Sequence, residues 1–251
     1  MIYVTGDIHG QPYRFNINRF PEQKEMTHDD FVIILGDFGL IWDGSKEEKY
    51  WLDWFDRKPF TTLFIDGNHE NFDLLDTFPV VDFHGGKAHQ IRDHVYHLMR
   101  GYVFDLCGKK FFAFGGASSH DIQDGILDPN DFADMDDFKR TYKQWNRCGK
   151  MFRVKGVSWW PQEMPNDEEM EHGRQSLKAV NNEVDFVISH CAPQEAASLL
   201  GFTQRDKLTW YFNNLLYDGL KFTRWFFGHY HADRQIMGKF VLLYEQITQI
   251  A

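Results

Sequence analysis

Apolar residues in this chain gather in short, dense runs rich in Val, Ile, Phe and Thr: "IYVTGD" (2–7), "FVIILGD" (31–37), "TTLFIDGNH" (61–69), "VDFVISH" (184–190) and "RWFFGHYH" (224–231). Their composition and length predict strands. The runs are continuous rather than alternating, so both faces of these strands are expected to be buried. Stretches of helical character lie between them, such as "SKEEKYWLDWFDRK" (45–58), and 167–183 and 206–218 also predict helices. Strand–helix alternation points to an α/β fold. The segment 95–117 reads as antiparallel strands turning at Cys107-Gly108-Lys109, and 238–250 as a further strand. A mixed sheet or two packed sheets should result. With no internal repeat or low-complexity linker, the 251 residues read as one domain.

The segment 118–166 breaks this pattern. Seven Asp fall within 121–137 with no Lys or Arg among them, and 139–155 holds seven Lys and Arg with no acid. Such a charge-segregated insertion is read first as a solvated excursion whose halves pair with each other. The sharper reading is a lid or a phosphate-attracting rim. The aromatic stretch "SWWPQEMP" (158–165) within it is read as a structural latch.

Composition adds limits. The chain is 43% hydrophobic and 25% charged, as in ordinary globular domains. Its net charge of −10 argues against a general affinity for nucleic acid or membrane surfaces, although bound metal ions would offset part of it. Cys107, Cys148 and Cys191 are too few and too irregularly spaced for a disulfide framework or a Cys-zinc site. No signal peptide or membrane-length apolar run is visible, so a cytoplasmic protein is expected.

The chemistry lies at the strand ends. The first strand runs into Asp7 and His9, the second into Asp37, the third into Asn68 and His69, and the later two into His190 and into His229 with His231. In open α/β sheets ligands bind beyond the carboxyl ends of strands, so these residues can converge. Seven of the twelve histidines fall outside the set, so the selection rests on His, Asp and Asn together with glycine at strand termini. The donors are nitrogen and oxygen without thiolate, which suits manganese first, with iron, zinc or nickel as alternatives. Eight candidates are too many for one ion. They suit two divalent ions sharing a carboxylate, a clamp for in-line displacement at phosphorus by a metal-bound hydroxide.

In order, "GDIHG", "GD", "GNHE", a lone His after a strand and "GHxH" resemble the calcineurin-like metallophosphoesterases over residues 5 to 231. The resemblance implies a four-layer α-β-β-α sandwich of two mixed β-sheets flanked by helices. It also implies that Asp7, His9 and His231 hold one metal, that Asn68, His190 and His229 hold the other, and that Asp37 bridges. His69 would not ligate but would stabilise charge and protonate the leaving oxygen, a task within reach of imidazole.

"GDIHGQ" and "GNHE" are close to the spelling of Ser/Thr phosphoprotein phosphatases. That branch carries an Asp-Arg pair where this chain has Leu40 and Ile41, and an arginine where it has Phe72. Apolar side chains cannot replace a bidentate phosphate grip, so that branch is disfavoured. The basic half of the insertion is one alternative source of the grip. A phosphorylated small-molecule or nucleotide-like substrate is expected, with small activated diesters cleaved at least as well as matching monoesters. A metal-dependent nuclease is the second enzyme reading, disfavoured by the acidic balance. A catalytically weak scaffold of the same fold is the third, and the filling of all eight positions argues against it.

Overall fold

The computed structural model describes residues 1–203 and 205–251. Among them the strands form two large sheets and a small one. The first sheet runs in the order β15 (Thr248–Gln249), β1 (Ile2–Thr5), β2 (Phe31–Ile34), β3 (Thr61–Phe64), β6 (Val95–Leu98), β5 (Gly86–Arg92), β4 (Val80–Phe83). Strands β1, β2, β3 and β6 are parallel, with Tyr3 beside Val32 and Val32 beside Thr62. The second sheet runs β13 (Arg234–Ile236), β14 (Phe240–Leu242), β12 (Arg224–Phe227), β11 (Phe186–Ser189), β8 (Lys109–Phe114), β7 (Tyr102–Leu106), and its four inner strands are parallel. Both sheets are mixed, because β5 and β15 in one and β7 and β13 in the other run against the parallel strands, and β4 pairs antiparallel with β5.

The continuous apolar runs serve two cores at once, since successive side chains leave a strand on opposite faces. Ile2, Val4, Ile33 and Leu63 meet Phe111, Ala113, Ile188 and Phe226 between the sheets. Their neighbours Tyr3, Val32, Ile34 and Phe64 face outward onto Leu52 and Phe55 of α1 (Lys46–Asp56) and Phe72 and Leu75 of α2 (Phe72–Leu75). On the far side Val187, Trp225 and Phe227 pack on Met170 and Leu177 of α4 (Asp167–Ala179), Ala196 and Ala197 of α5 (Gln194–Leu199) and Leu208 and Phe212 of α6 (Lys207–Tyr217). The layers are therefore helix, sheet, sheet, helix, the architecture implied by the sequence resemblance. Helix starts are set by side-chain caps: Ser45 accepts from Glu48 N–H, and Asn166 with Glu169 and Asp206 with Thr209 form capping boxes.

Three features differ from the sequence reading. The strands end one to five residues earlier, because the polar residues after them leave the ladder. His9, Asp37, His229 and His231 all have φ between 46° and 69°. The run 238–250 is two short strands in different sheets: Leu243 N–H continues to Phe227 O in the second sheet, and Ile250 N–H reaches Ile2 O in the first. The hairpin β4–β5 has no clear polar–apolar alternation and was not signalled by pattern.

The insertion folds as β9 (Gly125–Leu127), α3 (Met135–Arg147) and β10 (Phe152–Val154), the two strands pairing in parallel. Its acidic and basic halves do meet, through Asp121 with Arg153, Asp128 with Lys155 and Asp124 with Lys150. The latch reading of the Trp pair fits Trp160, which is buried against Trp42 and donates from Nε1 to Asp73 at 2.8 Å.

Candidate metal centre

All eight residues picked out at the strand ends lie together beyond the carboxyl ends of β1, β2, β3, β11 and β12. Asp7 follows β1 and is fully enclosed. Its Oδ2 lies 3.2 Å from His231 Nε2 and 3.9 Å from His9 Nε2, and Oδ1 lies 4.0 Å from His190 Nδ1. Asp37, also buried, has Oδ1 3.4 Å from His190 Nε2 and Oδ2 3.8 Å from His9 Nε2. Asn68 Oδ1 is 3.3 Å from His190 Nε2. The His229 ring sits 5.0 Å from that of His190, and the His69 ring 5.2 Å from that of His9. Among the described residues, three sets have donor atoms within 4.8 Å of one another: Asp7, His9 and His231; His9, Asp37 and His69; and Asp7, Asp37 and His190.

Local packing explains the glycines. A Cβ at Gly67 would stand 2.0 Å from Asp37 Oδ1, and one at Gly228 would stand 2.1 Å from Asp7 Oδ1. Neither glycine has positive φ; they supply room, while four of the candidate ligands, His9, Asp37, His229 and His231, take the strained left-handed backbone.

A calcineurin-like phosphoesterase family model matches residues 1–233. The chain belongs to that family. A search of curated proteins finds no match. Membership makes this phosphoesterase a metal-dependent hydrolase of phosphoesters in general, with divalent metal cofactors.

The residues present fit such ions. His190 Nδ1 faces Leu35 O at 2.7 Å, so this nitrogen carries the donated hydrogen and Nε2 is turned toward Asp37 and Asn68. Asn68 donates from Nδ2 to Ser119 Oγ, which leaves its carbonyl oxygen facing the centre. Ser119 is fixed in turn by Glu163, through Oγ at 2.6 Å and through its N–H at 2.9 Å. Electrostatics show the same demand for positive charge. Burial disfavours the His190 cation, yet Asp37 and Asp7 outweigh it and raise that pKa to about 10. Burial would raise the Asp37 pKa, but His190 holds it well below the carboxylate range. His229 is pushed down to about 3 by burial and by His190, leaving a neutral ring.

Sequence reasoning missed several supporting residues of the phosphoesterase. Arg14 braces the Asp7 loop, donating to Thr5 Oγ1 and Asp7 O at 2.9 Å each and to Tyr244 O. Glu70 is fully buried and accepts from Phe38 N–H at 2.7 Å; burial and then Asp37 push its pKa well up. Nothing in the local pattern marks Arg14, whereas Glu70 belongs to the quoted "GNHE". His120 and Asp121 stand at the site's rim: the His120 ring is 5.6 Å from His229, and Asp121 holds Arg153. A cavity of about 400 Å³ opens there, lined by His120, Phe202, His229, Tyr230 and His231 among others. No helix among the described residues is long and apolar enough to cross a membrane.

Proposed function

We propose that this chain is a cytoplasmic, single-domain hydrolase of small phosphate monoesters or diesters, working with two divalent ions, manganese foremost. Asp7, His9 and His231 would hold one ion; Asn68, His190 and His229 would hold the other; Asp37 would be shared. When bound, the ions supply an activated water nucleophile and neutralise charge on the phosphoryl oxygens. The observation that carries this reading is the convergence of five loops from two sheets on two buried carboxylates ringed by imidazoles.

The protein's own groups then have distinct tasks. Leu35 O fixes the orientation of His190, and Ser119 with Glu163 fixes that of Asn68. The N–H of His69 is tied to Asp37, which aims its ring over the centre. Burial lowers the His69 pKa, and the charge of Asp37 works against that shift. In its protonated form the ring would hand a proton to the departing ester oxygen.

The test is elemental analysis of protein refolded with manganese, iron, zinc or nickel, coupled to hydrolysis of nitrophenyl phosphate and bis(nitrophenyl) phosphate. Two ions per chain and turnover of at least one ester are expected. No turnover with any of these metals would sink the proposal.

A further inference from the structure

A ninth group stands at the centre that none of the quoted motifs contains. Arg153 of β10 is 84 positions from His69 in the chain, yet its Nη1 and Nη2 lie 3.4 Å from His69 Nδ1 and Nε2. Its side chain is only 16% exposed. The other edge of the guanidinium is fully engaged. Nε donates to Asp121 Oδ1 and Oδ2 at 3.0 and 2.9 Å, Nη2 donates to Oδ2 at 2.6 Å, and Nη1 donates to Ser158 O at 3.2 Å.

The contact with His69 cannot be satisfied as it stands. Arginine has donors only. A neutral imidazole offers one acceptor nitrogen and an imidazolium none. At least one of the two 3.4 Å contacts therefore sets N–H against N–H. A rigidly held, largely desolvated cation thus presents a two-pronged edge short of an acceptor, next to the group proposed to protonate the leaving oxygen. That fork matches two oxygens of a phosphate.

We propose that Arg153 grips the phosphoryl group of the substrate beside His69, with Asp121 as its positioning residue, and that this grip selects phosphomonoesters over diesters. The inference rests on the proposed function. A monoester has three terminal oxygens and about two negative charges near neutral pH, whereas a diester has two such oxygens and one charge. The additional terminal oxygen and charge of the monoester favour it on a cationic fork. Leu40, Ile41 and Phe72 are buried in the core and cannot supply the grip themselves. Arg153 fills the gap from the far side of the insertion, and the preference expected from sequence is reversed.

The experiment uses the full-length, metal-loaded protein. Inorganic phosphate is titrated calorimetrically into wild type, Arg153→Met, Arg153→Gln and Asp121→Asn, with metal content measured on each. Both Arg153 variants should keep their metals and lose about tenfold or more in phosphate affinity, the scale of a hydrogen-bonded charge. Asp121→Asn should lose less. In turnover, Arg153→Gln should raise KM for nitrophenyl phosphate more than for bis(nitrophenyl) phosphate. Should Arg153→Met lose its fold by circular dichroism, Arg153→Gln carries the comparison, because its amide retains a donor for Asp121. Unchanged phosphate affinity in Arg153→Gln would overturn the inference, and so would failure of wild type to bind phosphate. A wild type that binds phosphate through Arg153 but cleaves neither ester would defeat the proposed function alone.

Discussion

The backbone N–H of His69 donates to Oδ1 of Asp37 at 2.8 Å, so the loop after β3 hangs on the carboxylate that ends β2. Asp37 also approaches His190 and His9, which come from different loops. One carboxylate therefore holds three strand ends in register.

If Asp37 is the shared ligand, Asp37→Asn should reduce metal content from about two ions per chain and weaken both sites together. Elemental analysis across a series of free-metal concentrations reads this directly. Loss of a single ion, with the other retained at unchanged affinity, would count against sharing.

His69 is expected to act on the leaving group and not in metal retention. His69→Ala should keep its metals and lose about 10²–10⁴-fold in kcat on alkyl phosphates, whose leaving oxygen needs a proton. Nitrophenyl esters should suffer less, because nitrophenolate departs unaided. Equal losses on both substrates, or loss of metal, would remove His69 from that role.

Outside the centre, Asp66 and Arg100 form a buried pair: Arg100 donates to Asp66 Oδ2 from Nε at 2.9 Å and also from Nη2, and His97 Nε2 lies 3.2 Å from Oδ1. Burial opposes the Asp66 anion, but Arg100 foremost holds its pKa well below the usual range. A depressed folded-state pKa stabilises the fold above the unfolded value of about 3.9, and that stability is lost as pH falls through the lower folded value. Asp66→Asn would leave Arg100 only Glu169, at 3.4 Å, as a counter-charge, and should cost about 3 kcal/mol at pH 7. Denaturant titrations should show the deficit shrinking below about pH 4. A deficit independent of pH would mean the pair matters through packing alone.

Gly228→Ala should separate metal binding from folding. The φ there suits alanine, but the new methyl would stand 2.1 Å from Asp7 Oδ1 and 2.9 Å from the backbone oxygen of Leu35. Metal content should fall sharply while Tm of the metal-free protein falls by several degrees, as for overpacking that costs about 1–3 kcal/mol. Normal metal content in this variant would show that Asp7 can move without consequence.

Legibility from sequence followed locality. Asp7, Asp37, Asn68, His190 and His229 could be found because each is written directly after its own apolar run, and a strand end fixes where its next residues go. Apolar runs too continuous for a one-faced sheet marked strands buried on both faces, while the four layers were implied by the resemblance of the motifs. Arg153 could not be singled out. It was one of seven basic residues in 139–155, and only the pairing of β9 with β10 and the ion pair with Asp121 bring it, rather than Lys150 or Lys155, to His69. The division of 238–250 between two sheets was hidden for a similar reason, since which sheet edge is open to a strand is a property of the whole assembly.

Asp7, His9, Asp37 and Asn68 issue from one sheet, and His190, His229 and His231 from the other. The apolar layer between the sheets stops where these side chains begin, and at that rim two enclosed carboxylates face imidazoles across the gap. A cation held there is a rivet through both leaves of the sandwich. Withdrawing it with a chelator should loosen the rim at which β1 and β12 end, while the opposite rim stays shut. Amide exchange should then quicken first at Gly6 and Gly228, long before the apolar interior between them admits water.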